Sequence, residues 1–189
     1  LYYDKHIAKD IDRWILQYLN NFIEQIHTDM DNYDLHHIVD RISLFIDHLS
    51  RWYIKLNKNR LKNIVSIKKQ KTDLIDDIKY CLDVLYNCFY YFSVMIAPFA
   101  PFLSEHYYQQ LKFFNKLKVD KSVHFVQMPK KVWQEDKNLL ETMKYIVNTV
   151  EITRSFRQKG IKRSHKMPIK HIYLLINDSE AIKMLKNNN

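Results

Sequence analysis

Glycine is nearly absent from this chain, which carries a single one, Gly160, among its 189 residues. P-loops and dinucleotide-binding folds need several glycines where the backbone approaches a phosphate, so this scarcity argues against either kind of nucleotide site. It also argues against an all-β fold, whose tight turns consume glycine. Proline is scarce too, with four residues, whereas Leu, Ile, Lys and Gln are common. The composition therefore predicts a mainly α protein.

Cysteines and long apolar runs are also few. Cys81 and Cys88 lie seven positions apart in a helical pattern, which places them about 10 Å apart and beyond disulfide reach. Free thiols fit a reducing compartment, and no apolar run approaches the roughly 18 residues of a membrane span. No signal peptide is visible. We expect a cytoplasmic protein without a membrane partner, and, because the chain begins with Leu1, a piece of a longer polypeptide.

Candidate metal ligands and catalytic groups are weak. Nine histidines are present, and the closest grouping is His36, His37 and Asp40, but no HExxH motif and no cysteine pair at zinc spacing accompanies them. Solvated or capping histidines are the better interpretation, so no metal site is predicted. Glu105 and His106 are neighbours that face different ways on a helix. No catalytic residue is predicted, which disfavours an enzyme in its own right.

Apolar residues recur at spacings of three and four along the first two thirds of the chain, which predicts an antiparallel helical bundle. We assign this bundle to residues 1–118 and a small α+β C-terminal extension to residues 119–189. The predicted helices of the bundle span residues 10–30, 35–62, 72–97 and 102–115, with Pro101 in the first turn of the last one.

The C-terminal extension has a different pattern. Residues 122–127 are predicted to be extended, and a fifth helix is predicted over 135–159, with Gly160 following its end. Residues 169–176 are apolar and β-branched enough for a strand. Ser179 is predicted to cap a last short helix.

The net charge of +9 is unevenly distributed. Residues 51–71 contain eight lysines and arginines and no acid, and residues 154–171 contain seven and no acid. Such segregation favours a polyanionic partner. No helix-turn-helix pattern points to duplex DNA, and aromatic residues interleaved with the charges would suit unpaired RNA bases. Trp52 and Tyr53 also continue an apolar stripe, so at least one of them is expected in the core.

Five segments resemble the anticodon-binding domain of class I aminoacyl-tRNA synthetases, and most closely that of eukaryotic cytosolic isoleucyl-tRNA synthetases. They follow the order of that family and cover nearly the whole chain. The HIGH and KMSKS motifs of the catalytic domain, the editing domain and the zinc-binding tail of the bacterial type are absent from this sequence. The resembling segments are DRWIL at 12–16, SRWYIK at 50–55, MIAPFAPFLSE at 95–105, SVHFVQMP at 122–129 and KMPIKHIYLLI at 166–176.

The resemblance implies a domain that grips the anticodon stem and loop of tRNA, far from the chemistry. The parent enzyme would ligate isoleucine to its tRNA using ATP and magnesium in a catalytic domain of the same chain, accompanied by an editing domain. This piece would need no cofactor and would be monomeric. Asp12, Arg13 and Trp14 are assigned to the structure of the bundle. Trp52 and Asn57 are candidates for contact with the bases. The predicted phosphate-binding residues form two walls: Arg51, Lys55, Lys58, Arg60 and Lys62 on one side, and Arg154, Arg157, Lys159, Lys162, Arg163 and Lys166 on the other.

Two alternatives to this function remain at the level of the sequence. Valyl- and leucyl-tRNA synthetases share the bundle and the Pro-Phe-x-Pro-Phe pattern, so the amino acid is open among the three. A helical basic module that docks an acidic protein or a membrane surface would also explain the charge. It would bind acidic partners in general and show no preference among tRNAs.

Overall fold

The computed structural model describes residues 9–62, 72–114, 120–130, 133, 136–159, 171 and 173. The chain forms two compact units, residues 1–135 and residues 136–189. The first unit contains α1 (Asp10–Asp31), α2 (His36–Asp47) continued by a π-helical segment (His48–Ile54), α3 (Lys58–Lys62), α4 (Thr72–Ile96), α5 (Pro101–Phe114) and a 3-10 turn (Val123–Phe125). The second unit contains α6 (Lys137–Lys159).

The predicted mainly α bundle is confirmed, and the residues that the structure describes contain no β-strand. In the first unit α1 packs against α2 and α4, and α4 packs against α5. The strand predicted at 169–176 lies outside the described residues except for His171 and Tyr173, which are exposed and belong to no regular element. Gly160 and Ser179 also lie outside them.

The core of the bundle is built on the apolar stripe of α1, whose members recur every three or four residues and are buried together. Phe22 stacks on Phe45 of α2 with ring centroids 4.7 Å apart, and Phe45 stacks on Phe92 of α4 at 5.4 Å. Such aromatic pairs contribute about 0.5–1.5 kcal/mol each beyond the burial of their area. The buried stripe of α1 consists of Trp14, Ile15, Leu19, Phe22, Ile23 and Ile26.

The turn between α1 and α2 has a left-handed residue that is not glycine. Tyr33 has a φ of 62°, and its amide donates to the carbonyl of Met30 while the amide of Asp34 donates to that of Asp29. This pair of bonds is the Schellman pattern, in which the left-handed position is usually glycine. The Tyr33 side chain is 87% exposed, so no packing compensates for the backbone conformation.

The π-helical segment shifts the buried stripe of the second predicted helix by one residue. A continuous α pattern would carry the stripe from Leu49 through Tyr53 to Leu56, but Leu56 is 60% exposed and Asn57 is 2% exposed. A π turn contains more residues than an α turn, so every later position rotates around the helix axis. Helical structure still reaches Lys62, as predicted, with a break at Asn57.

The segment after α5 contacts the bundle. Glu105 of α5 accepts hydrogen bonds from the Ser122 hydroxyl at 2.8 Å and from the Val123 amide at 2.9 Å. The Asn20 amide of α1 donates to the Trp133 carbonyl at 2.7 Å and accepts from the Trp133 amide at 3.2 Å. The extended conformation predicted for 122–127 is wrong at its centre, because these anchors fold Val123–Phe125 into a 3-10 turn.

Candidate nucleic-acid interface

Four of the basic residues predicted for the first wall lie on the surface of the first unit. Arg51, Lys55, Lys58 and Lys62 are all exposed. Arg51 pairs with Asp47, one turn earlier, at 2.7 Å. Within the described part of the chain the three lysines form no ion pair. Lys58 and Lys62 are four residues apart in α3 and therefore share a helix face.

Arg60 is not part of that exposed surface, although it was predicted to contact tRNA. Its side chain is 10% exposed, and all three guanidinium nitrogens donate to protein acceptors. Nη1 donates to both carboxylate oxygens of Asp12 at 2.9 Å, and Nε and Nη2 donate to the Asp77 carboxylate at 3.1 and 2.6 Å. The sequence does not indicate this inward placement, because the acceptors lie 48 and 17 residues away; contact of Arg60 with tRNA stays a prediction.

Asn57 and Trp52, the two predicted base-contacting residues, are also turned inward. Asn57 is 2% exposed; its amide donates to the Tyr53 carbonyl at 3.1 Å and its oxygen accepts from Arg60 at 2.8 Å. Trp52 is 7% exposed and Tyr53 is fully buried. The expectation that at least one of the two aromatics lies in the core is confirmed for both. Stacking by Trp52 on a nucleic-acid base would require this side chain to leave the core.

The interior behind α3 is a charged hydrogen-bonded cluster. Tyr53 donates its hydroxyl to Asp12 at 2.7 Å, and burial, followed by the charge of Asp12, raises the pKa of the phenol far above its ordinary range. Burial is the largest single effect on Arg60 and lowers the pKa of its guanidinium. The carboxylates of Asp12 and Asp77 outweigh burial, so the pKa of the guanidinium is raised. Burial likewise raises the pKa of the Cys81 thiol. The cluster thus holds a charged Arg60 and neutral Tyr53 and Cys81 at neutral pH. Asp12, which the sequence analysis assigns to the structure of the bundle, lies in this buried cluster and accepts hydrogen bonds from Tyr53 and Arg60.

The second predicted wall belongs to the second unit. Arg154 and Lys159 are exposed on α6, and Arg157 is half-buried. Phe156 is 63% exposed, and Lys159, three residues later, shares its face of α6. Lys162, Arg163 and Lys166 lie outside the described residues. That the two basic segments form the walls of one site stays a prediction.

Neither a metal centre nor a membrane helix is found where the structure can be described. Among those residues, no group of three His, Cys, Asp or Glu side chains is placed to hold a metal ion. The His36 and His37 rings lie 3.8 Å apart at the surface of α2. No helix described in the structure combines the length and the apolar character that a membrane crossing needs.

An apolar groove lies between α2, α4 and α5. Its volume is about 230 Å³, and it is lined mainly by aliphatic and aromatic side chains, with the hydroxyls of Ser50 and Tyr107 as polar groups. None of its lining residues is charged. A polyanion needs cations at its phosphates, so this groove does not serve the nucleic acid and the basic surfaces remain the candidate interface.

Comparison with known proteins gives a consistent set of similarities. The family described as the anticodon-binding domain of tRNA ligase matches residues 12–173. The isoleucine–tRNA ligase of Tetrahymena thermophila is 30% identical over 96% of this chain and 16% of its own length. The cytoplasmic isoleucine–tRNA ligase of Saccharomyces cerevisiae is 30% identical over 96% of this chain and 17% of its own length. The isoleucine–tRNA ligase of Chlamydia trachomatis serovar L2 is 32% identical over 88% of this chain and 15% of its own length. The chain thus spans about a sixth of the length of the curated relatives it matches.

Proposed function

The chain belongs to the family of anticodon-binding domains of tRNA ligases, and on that premise we propose that it binds the anticodon stem and loop of the isoleucine tRNA. It would do so as part of a cytoplasmic isoleucine–tRNA ligase. The observation that carries the proposal is the exposed lysine surface of Lys55, Lys58 and Lys62 on a domain of this family. Flexible ammonium groups of this kind neutralise backbone phosphates and fix the register of the RNA.

Discrimination between tRNAs needs groups that meet the bases, because phosphates are the same in every tRNA. With Trp52 and Asn57 in the interior, we place this role on the second unit, where Phe156 and Arg154 are both exposed on α6. Aromatic rings stack on unpaired bases, and guanidinium groups hydrogen-bond their edges. Such stacking contributes about 1–3 kcal/mol per base.

The chemistry of ligation would belong to other domains of the same polypeptide. The described residues offer no metal-binding cluster, and we assign ATP, magnesium and adenylate formation to the catalytic domain. The domain described above would contribute affinity for tRNA and no catalytic group. We expect this chain alone to bind tRNA and to show no isoleucine-dependent ATP turnover.

A binding experiment with three tRNAs tests the proposal. Purified tRNAs for isoleucine, valine and leucine are titrated at one ionic strength, and the tRNA for isoleucine is expected to bind most tightly. If the valine or the leucine tRNA binds most tightly, the chain is instead assigned to the valyl- or the leucyl-tRNA synthetase, respectively. Equal binding of all three tRNAs and of a polyglutamate of similar charge would support the basic interaction module instead. Isoleucyl-adenylate formation by the chain alone would overturn the assignment of catalysis to other domains.

A further inference from the structure

Arg60 joins three helices of the first unit through one side chain. It belongs to α3. Its Nη1 donates hydrogen bonds to Asp12 of α1, and its Nε and Nη2 donate to Asp77 of α4. Nη2 also donates to the backbone carbonyl of Asp77 at 3.0 Å. Asp12 has no exposed side-chain surface and that of Asp77 is 14% exposed, so water competes little for these bonds.

The helix that Arg60 anchors has few other means of attachment. α3 is five residues long and none of its residues is fully buried. A helix of this length is not stable on its own, because nucleation is costly and few hydrogen bonds repay it. Its place on the bundle therefore depends on tertiary contacts, and the forked ion pairs of Arg60 are the strongest polar contacts described for it.

We propose that Arg60 is a positioning residue for tRNA binding: it fixes α3 on the bundle so that Lys58 and Lys62 meet the phosphates at a defined place. The inference rests on the proposed function. Two cations on a fixed helix bind a phosphate pair with less loss of conformational entropy than two cations on a mobile segment. Arg60 contributes to RNA affinity through α3 and makes no contact with the RNA.

The choice of arginine follows from the geometry. A planar guanidinium reaches two carboxylates at once through its separate edges, as it does toward Asp12 and Asp77, whereas a lysine ammonium is a single point of charge. The substitution Arg60→Lys keeps the net charge but loses the fork. It is expected to weaken tRNA binding about threefold to tenfold. A phosphate-contacting Arg60 would lose little affinity, since lysine also neutralises a phosphate.

A neutral substitution of Asp77 separates positioning from general electrostatics. Asp77→Asn removes a negative charge, so Coulomb attraction alone would tighten the binding of tRNA. Positioning predicts the opposite sign, a loss of tRNA affinity of about threefold to tenfold, because one of the two ion pairs that hold Arg60 is lost. The matched control is Asp76→Asn, on the same helix, where the side chain is exposed and, among the described residues, forms an ion pair only with Lys79, at 3.3 Å. This control is expected to bind as tightly as the original protein or slightly more tightly.

The experiment measures the Kd for the isoleucine tRNA with the full-length polypeptide, alongside thermal unfolding. The same substitutions are repeated in a Lys58→Ala, Lys62→Ala background, where Arg60→Lys and Asp77→Asn are expected to have no further effect on affinity. If both variants are folded and bind as tightly as the original protein, the positioning role is wrong. Additive losses in the double-alanine background would also overturn it.

A different result would contradict the proposed function itself. If the Lys58→Ala, Lys62→Ala protein binds tRNA as well as the original, the lysine surface is not the interface, whatever Arg60 does. If Asp77→Asn does not fold, Arg60→Lys alone decides, because it retains both the charge and the helix propensity of the original residue.

Discussion

The hydroxyl of Tyr53 donates a 2.7 Å hydrogen bond to Oδ1 of Asp12, and neither side chain has exposed surface. The two residues lie 41 positions apart, so the bond ties the π-helical segment to the first turn of α1. Asp12 also accepts from Arg60, which means that one buried carboxylate is satisfied by a phenol and a guanidinium together. A buried carboxylate is tolerated only with such partners.

Removing that phenol is expected to destabilise the bundle. Tyr53→Phe keeps the ring but leaves Asp12 with one donor fewer, and a hydrogen bond to a charged group contributes about 1.5–3 kcal/mol. The free energy of unfolding in urea should fall by this amount. Tyr107→Phe is the control, because Tyr107 is 40% exposed. Equal stability of the Tyr53 variant and the control would contradict the prediction.

The turn between α1 and α2 offers a stabilising substitution. Tyr33 holds a φ of 62°, a conformation that a Cβ atom disfavours and glycine adopts readily. Tyr33→Gly is expected to raise the free energy of unfolding by about 0.5–1 kcal/mol. Tyr33→Ala removes the same exposed ring but retains the Cβ atom, so it should give no gain. A glycine variant no more stable than the alanine variant would show that the turn carries no strain.

The helices were predictable from the sequence because burial and the helical period act on the same residues. The apolar residues of α1, such as Phe22 and Ile26, recur with that period and are buried. The burial of Asn57 in place of Leu56 was not predictable from the sequence. A π turn has no marker in the sequence, because it depends on what packs around it. The placement of Arg60 was missed for a related reason: a cation shows its charge in the sequence but not its partner.

The ion pair between Arg41 and Asp29 predicts acid sensitivity. Hydrogen bonding from Arg41 lowers the pKa of the Asp29 carboxyl below its ordinary value of 3.8. The unfolded chain therefore takes up this proton at a higher pH than the folded one. The stabilisation is complete above about pH 5 and is lost as the pH falls through the lowered folded pKa.

The measurement is the difference in unfolding free energy between the original protein and Asp29→Asn, taken from about pH 6 down to about pH 3. This difference is expected to shrink as the pH falls. Other carboxylates with lowered pKa, such as Glu105, affect both proteins equally and cancel. A difference that stays constant over the whole range would contradict the prediction.

Trp52 is expected to act on stability and not on RNA recognition. Its side chain is 7% exposed, and replacing a buried tryptophan with alanine costs about 3–5 kcal/mol through lost burial and the cavity left behind. Urea unfolding of Trp52→Ala measures this loss, and Trp52→Phe should lose less because part of the volume is kept. An unchanged melting temperature combined with weakened tRNA binding would instead assign Trp52 to a base.

The salt dependence of tRNA binding tests the lysine surface. If about six phosphates of a single-stranded loop and its flanking stem are neutralised, log affinity should fall against log salt with a slope near −4, from roughly −0.7 per phosphate. Lys58→Ala removes one exposed cation of α3, so the slope should become shallower by about 0.7. Binding of the isoleucine tRNA and of the valine tRNA should weaken by the same factor, because a phosphate contact carries no sequence information.

Lys121→Ala is the charge-matched control for this prediction. Lys121 is exposed and next to Asp120 on the segment after α5, and its substitution should leave the slope unchanged. A slope that responds equally to both substitutions would mean that the RNA senses only the net charge, and a response that differs between the two tRNAs would place Lys58 against a base.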